Sequence, residues 1–294
     1  MILRSLLVSA VIATSATSAT SVAAASSSRR PLVVVGVSEW GALAQQLVGQ
    51  RARVVTLLTD PNADPHEHEA TVHDAGEVAL ASMVVENGAG YDAWLNKLVA
   101  VSNPHVPVVN VAALAHVRDG ENPHLFYSPV LAARFVAVLA SRLDGLDPVL
   151  RLQARARQLE RALGASARRL AALKERCGGV RVAATEDVAT RLLTLAGLRV
   201  VTPESLRLAV SNGVDPSVLP LALALRQLGE RPAFLLNNTQ TATPLTQALT
   251  ARARVDHVPL VNVTETMTGH DYLSFLNAVI ARIRSALVRQ GCAA

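Results

Sequence analysis

The chain has 294 residues, half of them apolar but only 3% aromatic, and its 28 lysines and arginines outnumber 23 acidic residues for a formal charge of +5. Most of the basic residues are arginines spread along the chain, and no basic stripe with interleaved aromatics is present, which argues against a nucleic-acid partner. The length suffices for one large or two medium domains with real cores.

The first element is a secretory signal. Met1 to Arg4 supplies a positive charge, Leu6 to Ala13 a short apolar run, and Val22-Ala23-Ala24-Ala25 an A-x-A-like cleavage site. Residues 1–25 are therefore expected to leave, and the mature chain to start near Ser26. The apolar run is well short of the roughly 20 residues of a spanning helix. No cysteine precedes Cys177, so a lipid-anchoring cysteine is missing and an unanchored, extracytoplasmic protein is expected. Cys177 and Cys292, the two cysteines of the chain, either form one disulfide in an oxidising compartment or stay as free thiols; the sequence leaves both open.

From Leu32 onward β-branched runs alternate with helical stretches. Leu32–Val37, Arg53–Leu58, Met83–Glu86 and 106–111 read as buried strands of a parallel α/β lobe spanning 26–147. Pro129–Leu143 reads as a helix. Asp147-Pro148 then opens a longer one, running to about Arg176, with leucines at 152, 159, 163, 170 and 173 on one stripe. This 148–177 helix links the first lobe to a second, 178–294, in which 180–185, 199–202, 233–237 and 259–263 read as strands and about Tyr272 to Val288 as a closing helix. The fold class is α/β: two parallel-sheet lobes joined by one long rigid helix, with the site between the lobes. A rigid link limits how far the lobes swing.

Ligands of open α/β sheets gather at the carboxyl ends of strands, and four polar clusters stand there. They are Asp64-Pro65-His66-Glu67-His68-Glu69, Asn122-Pro123-His124, Thr185-Glu186-Asp187 and Val263-Thr264-Glu265-Thr266. Prolines fix the backbone ahead of both His66 and His124. Each lobe offers two candidate ligands, and two imidazoles with two carboxylates suit manganese, iron or zinc, while the lack of nearby thiolates argues against copper(I) or structural zinc.

The run Asp64-Pro65-His66-x-x-Glu69-Ala70-Thr71, the Asn122-Pro123-His124 motif, the two lobes and the linking helix together resemble the metal-binding solute receptors (cluster A-I, or cluster 9) of zinc and manganese ABC importers. The resemblance covers nearly the whole mature chain. It implies that His66 and His124 ligate the metal, that Glu186 takes the position that is a histidine in zinc members and often a glutamate in manganese members, and that Glu265 is the fourth ligand. Glu265 departs from the usual aspartate by one methylene. The histidine-rich loop of many zinc members is also missing, which leans toward manganese. The implied protein is an exported, monomeric, non-enzymatic receptor that captures divalent manganese or zinc and delivers it to an ABC importer permease.

The remaining candidates have plainer readings. His68 and Glu67 are expected to be solvated neighbours of His66, since no H-E-x-x-H arrangement is present. His73, His105, His116, His257 and His270 lack partners at ligand spacing. Asp187 is expected to face a helix N-terminus, and Thr239 to cap a helix. The rival functions are a secreted metallohydrolase with a base such as Glu67, and an adhesin or metallochaperone on the same scaffold.

Overall fold

Valine-rich runs without a polar face must be covered on both sides, and that requirement sets the layers of the first lobe. The structure is a computed structural model and describes residues 30–292 apart from 62, 67, 212 and 268; the expected signal, 1–25, and Glu67 lie outside the described residues. Strands β1 (Leu32–Val37), β2 (Arg53–Leu58), β3 (Met83–Glu86) and β4 (Val108–Asn110) form a parallel sheet in the order β2-β1-β3-β4. Every residue of β1 and β3 is buried, whereas β2, at the edge, is only partly covered. Parallel pairing requires crossovers, supplied by α1 (Ser38–Val48), α2 (Val72–Leu80), α3 (Ala93–Ser102) and α4 (Val111–Ala115), after which α5 (Pro129–Leu146) leads out of the sheet.

Helix α6 (Gln153–Cys177) follows, and its 25 residues span roughly 37 Å at 1.5 Å per residue. It buries Ala156, Leu163, Ser166, Leu170, Leu173 and Cys177 on one stripe. The expected opening at Asp147-Pro148 is corrected: Pro148–Leu150 is a separate 3-10 turn. Arg151 takes a left-handed φ of 50° that breaks the helix, and the Asp144 carboxylate accepts the Leu152 N–H beyond the break. The helix stops at Gly178, where a Cβ would lie 2.6 Å from the Lys174 carbonyl oxygen.

In the second lobe β5 (Arg181–Ala184), β6 (Arg199–Val200), β7 (Leu235–Asn238) and β8 (Leu260–Val263) repeat the arrangement, parallel and in the order β6-β5-β7-β8. Its helices are α7 (Thr190–Leu195), α8 (Glu204–Ser211), α9 (Val218–Gly229), α10 (Pro244–Val255) and α11 (Tyr272–Arg289). The strands expected at 106–111 and 199–202 are thus shorter than their apolar runs. Thr239 does not cap a helix: it bonds to Val263 O, and α10 is capped by Thr243 in a capping box with Thr246.

One continuous core runs from Leu32 to Leu287 through both sheets and through Leu163, Leu170 and Leu173 of α6. A smaller cluster, with Leu206, Leu228, Leu235 and Leu249, fills the other side of the second sheet. Helix α6 packs on α1 and α5 of the first lobe and on α7 and α11 of the second, so it is clamped along its length. A Cys177–Cys292 disulfide, with Cα atoms 5.9 Å apart, ties the end of α6 to the end of the described chain. Among the described residues no helix is long and apolar enough to cross a membrane.

Candidate metal centre between the lobes

Strand order reverses between β1 and β3 in one sheet and between β5 and β7 in the other, and α/β sheets open their binding crevices at such switch points. All strands within each sheet are parallel, so the loops leaving their carboxyl ends share an edge. His66 follows β2, His124 follows β4, Glu186 follows β5 and Glu265 follows β8.

His124 is the most constrained of the four. Its N–H donates to Asn122 Oδ1 at 2.9 Å, closing the turn around Pro123, and its ring Nδ1 meets the same oxygen at 3.0 Å. Asn122 Nδ2 is committed elsewhere, to Asp187 O (2.9 Å) and Thr190 Oγ1 (3.0 Å) of the second lobe, which fixes Oδ1 as the acceptor. Nδ1 therefore carries a hydrogen. The other nitrogen, Nε2, lies 3.0 Å from Glu265 Oε1, so imidazole and carboxylate face each other across the lobes, a contact that needs a hydrogen or a metal ion between them. His124 is 1% exposed.

Glu186 is buried, at 3% exposure, and its Oε1 has no hydrogen-bond partner among the described residues. Burial, with the charge of Glu265 added, pushes its carboxyl up to about 7, against the opposing pull of His124. Glu265 behaves differently. Burial acts to raise it too, but the hydrogen bond and charge of His124 and the charge of His66 outweigh burial and hold it below the ordinary carboxylate range. An orphaned buried carboxylate oxygen beside a second carboxylate is a cation's environment, because an unpaired buried acceptor is costly.

His66 shares the Asx-turn device, its N–H donating to Asp64 Oδ1 at 2.8 Å, but it is exposed. Its ring meets the edge of Tyr91, centroids 5.1 Å apart, and Tyr91 in turn meets His124 at 5.6 Å. A cavity of about 190 Å³ borders both histidines, with Asn122, Asp187 and Ser211 on its wall. Among the described residues no three His, Cys, Asp or Glu side chains already converge at coordinating distance.

Two neighbouring expectations are corrected. His68 is not simply solvated: it is partly buried, its ring lies 4.4 Å from that of Trp94, and its Nε2 is 3.5 Å from Asp74 Oδ2. Asp187 does not serve a helix N-terminus but pairs with Arg207. His73, His105, His116, His257 and His270 are exposed. Local reading missed Tyr91, between the two histidines, and Glu39, whose buried carboxylate accepts the Met267 N–H at 2.6 Å just beyond Glu265. The Gly88-Ala89-Gly90 turn before Tyr91 was the available signal, since Gly88 and Gly90 take positive φ.

Two like-ordered parallel sheets clamped on one long helix, with polar loops meeting at their shared edges, define the two-lobed solute-binding class. The family model for the periplasmic component A of zinc-uptake complexes, ZnuA, matches residues 33–286, and the chain belongs to that family, a family of periplasmic metal-transport receptors rather than enzymes. Among solved structures, the solute-binding protein FpvC from Pseudomonas aeruginosa, in complex with Mn²⁺, superposes with a TM-score of 0.72 at 22% identity, covering 89% of this chain and all of that one. A ZnuA crystal structure gives 0.69 at 20% identity over 86% of this chain and 97% of its own. The manganese-binding lipoprotein MntA of Halalkalibacterium halodurans is 28% identical over 121 residues, so the match spans 40% of each chain.

Proposed function

We propose that this chain captures one divalent metal ion, manganese or zinc, between its lobes and hands it to the membrane permease of an ABC importer, acting as a monomer and without a catalytic step or a nucleic-acid partner. His66 and His124 from the first lobe and Glu186 and Glu265 from the second are the ligands. The observation that carries the reading is Glu186: a buried carboxylate with an orphaned oxygen, set beside the interlobe His124–Glu265 pair. A cation entering there takes the place of the proton between His124 and Glu265 and satisfies the free oxygen of Glu186.

The donor set is hard and borderline, with imidazole and carboxylate and no thiolate, as the Cys177–Cys292 disulfide removes both sulfurs from ligation. Glutamate in place of a third imidazole favours manganese as cargo. Relatives bearing the names of zinc uptake and of manganese binding support the two ions jointly. The test is metal accumulation by cells deleted for the chain and grown in metal-poor medium. Restoration by the wild type but not by Glu186→Ala is expected; unchanged manganese and zinc uptake in the deletion would contradict the proposal.

A further inference from the structure

Away from the metal donors, α6 and α11 run side by side in the same direction. Ser166 Oγ and Arg169 Nη1 both donate to Asn277 Oδ1 at 2.8 Å, and the disulfide joins Cys177 to Cys292 further along. Between these ties the helices part around a cleft of about 460 Å³, within the range of roughly 300–1,000 Å³ typical of small-molecule sites. Side-chain size is the cause. Ala172 and Ala281 end at Cβ, and their exposed methyls, with the edges of the nearly buried Leu173 and Ile280 beneath, form an apolar floor.

The rim is cationic. Arg169 touches Asn277, and seven residues further along each helix, two turns or about 10 Å, come Arg176 and Arg284. The shared register sets these two at the same level on opposite walls of the cleft. Both are exposed, neither has an ion-pair partner among the described residues, and no described acidic residue lines the cleft. A pair of guanidinium forks matches a carboxylate in shape and charge. The floor beside them asks for an apolar body.

We propose that this cleft is a second binding site, for a small amphiphilic carboxylate whose apolar body lies on Leu173 and Ile280 and whose carboxylate sits between Arg176 and Arg284. The concave, two-walled shape suits a single chain rather than a flat bilayer surface. Calorimetric titration of the full mature protein with dodecanoate, below its micelle-forming concentration, should give one equivalent. In Arg176→Ala/Arg284→Ala and in the cleft-filling Ala281→Leu the affinity should fall at least about tenfold, with manganese and zinc binding unchanged. Dodecyltrimethylammonium, with the same tail, and acetate, with the same head, should both fail to bind. Absence of dodecanoate binding, equal binding by the arginine variant, or binding of phosphatidylglycerol vesicles without any binding of free dodecanoate would each overturn the proposal.

Discussion

His66 and His124 are each the third residue of an Asx-Pro-His turn, with amide hydrogens given to the Asx side chain at 2.8 and 2.9 Å, yet His124 is 1% exposed and His66 lies open to solvent. The same local device sets both backbones. What differs is the ring. Asn122 has an amide nitrogen as well as an oxygen, and while the oxygen meets His124 Nδ1 the nitrogen anchors the turn to Asp187 O and Thr190 in the other lobe. Asp64 has no hydrogen to donate, so its turn gains no such anchor; the neighbouring tie is Trp94 Nε1 donating to Pro65 O at 3.1 Å. Short-range sequence thus fixes where a histidine leaves the backbone, and long-range polar partners fix where its ring points. In the proposed site His124 is the prepared arm and His66 the arm that would complete it.

The largest test of that asymmetry is removal of each ring. His124→Ala should lower manganese and zinc affinity by more than about 100-fold, beyond the 10–100-fold typical of losing a group that only orients a ligand, because it also leaves the buried Glu186 beside the partly buried Glu265 without the imidazole. His66→Ala should cost clearly less. Competition titration against a chelating dye measures both, and equal losses would erase the distinction.

Next come the turn residues. Asn122→Ala should weaken binding by about 10–100-fold, whereas Asp64→Ala, which loses only a turn hydrogen bond, should cost a few-fold. A reversed order would show that the ring of His124 is oriented by something other than Asn122.

Two stability measurements separate the site from its frame. Cys177→Ser/Cys292→Ser opens a loop of 115 residues and should cost about 2–5 kcal/mol in denaturant unfolding, with metal affinity unchanged, since the bridge lies at the far end of α6.

The other stability measurement is one of pH. Asp92 is buried and accepts the Asn87 and Gly88 N–H groups at 2.7 and 2.9 Å; burial nonetheless pushes its carboxyl from 3.8 up to about 7. A carboxyl raised in the folded state binds protons more tightly than in the unfolded chain. Its contribution is therefore fully present below about pH 4 and lost as pH rises through about 7. Asp92→Asn cannot ionise, so its melting temperature relative to wild type should climb by on the order of 10 °C between those values. A constant difference across that window would contradict the burial argument.

Much of the fold was legible because strands covered on both faces must be largely apolar, as in Leu32–Val37 and Met83–Glu86, while the partly covered edge strand Arg53–Leu58 was legible from its β-branched run; all three match residue for residue. Boundaries failed where a single backbone angle decided them, as at Arg151, whose left-handed turn no apolar pattern announces. At the candidate site, the shared position of the loops carrying His66, His124, Glu186 and Glu265 was legible because parallel strands send their following loops to one edge. Asp187 and His68 were misread because their partners, Arg207 and Trp94, lie 20 and 26 positions away in the chain. Tyr91 escaped notice for a related reason: a lone tyrosine after a glycine-rich turn shows nothing locally of the two histidines it bridges.

The central claim is that a metal ion replaces a proton at the interlobe pair of His124 and Glu265. Calorimetric titration of the metal-stripped mature protein with manganese and with zinc, in two buffers of different ionisation enthalpy, tests it directly, because the buffer dependence counts protons released on binding. One equivalent should bind with net proton release, and both binding and release should be lost in His124→Ala. Stoichiometric binding that survives in His66→Ala and His124→Ala alike, or no stoichiometric binding of either ion, would contradict the account.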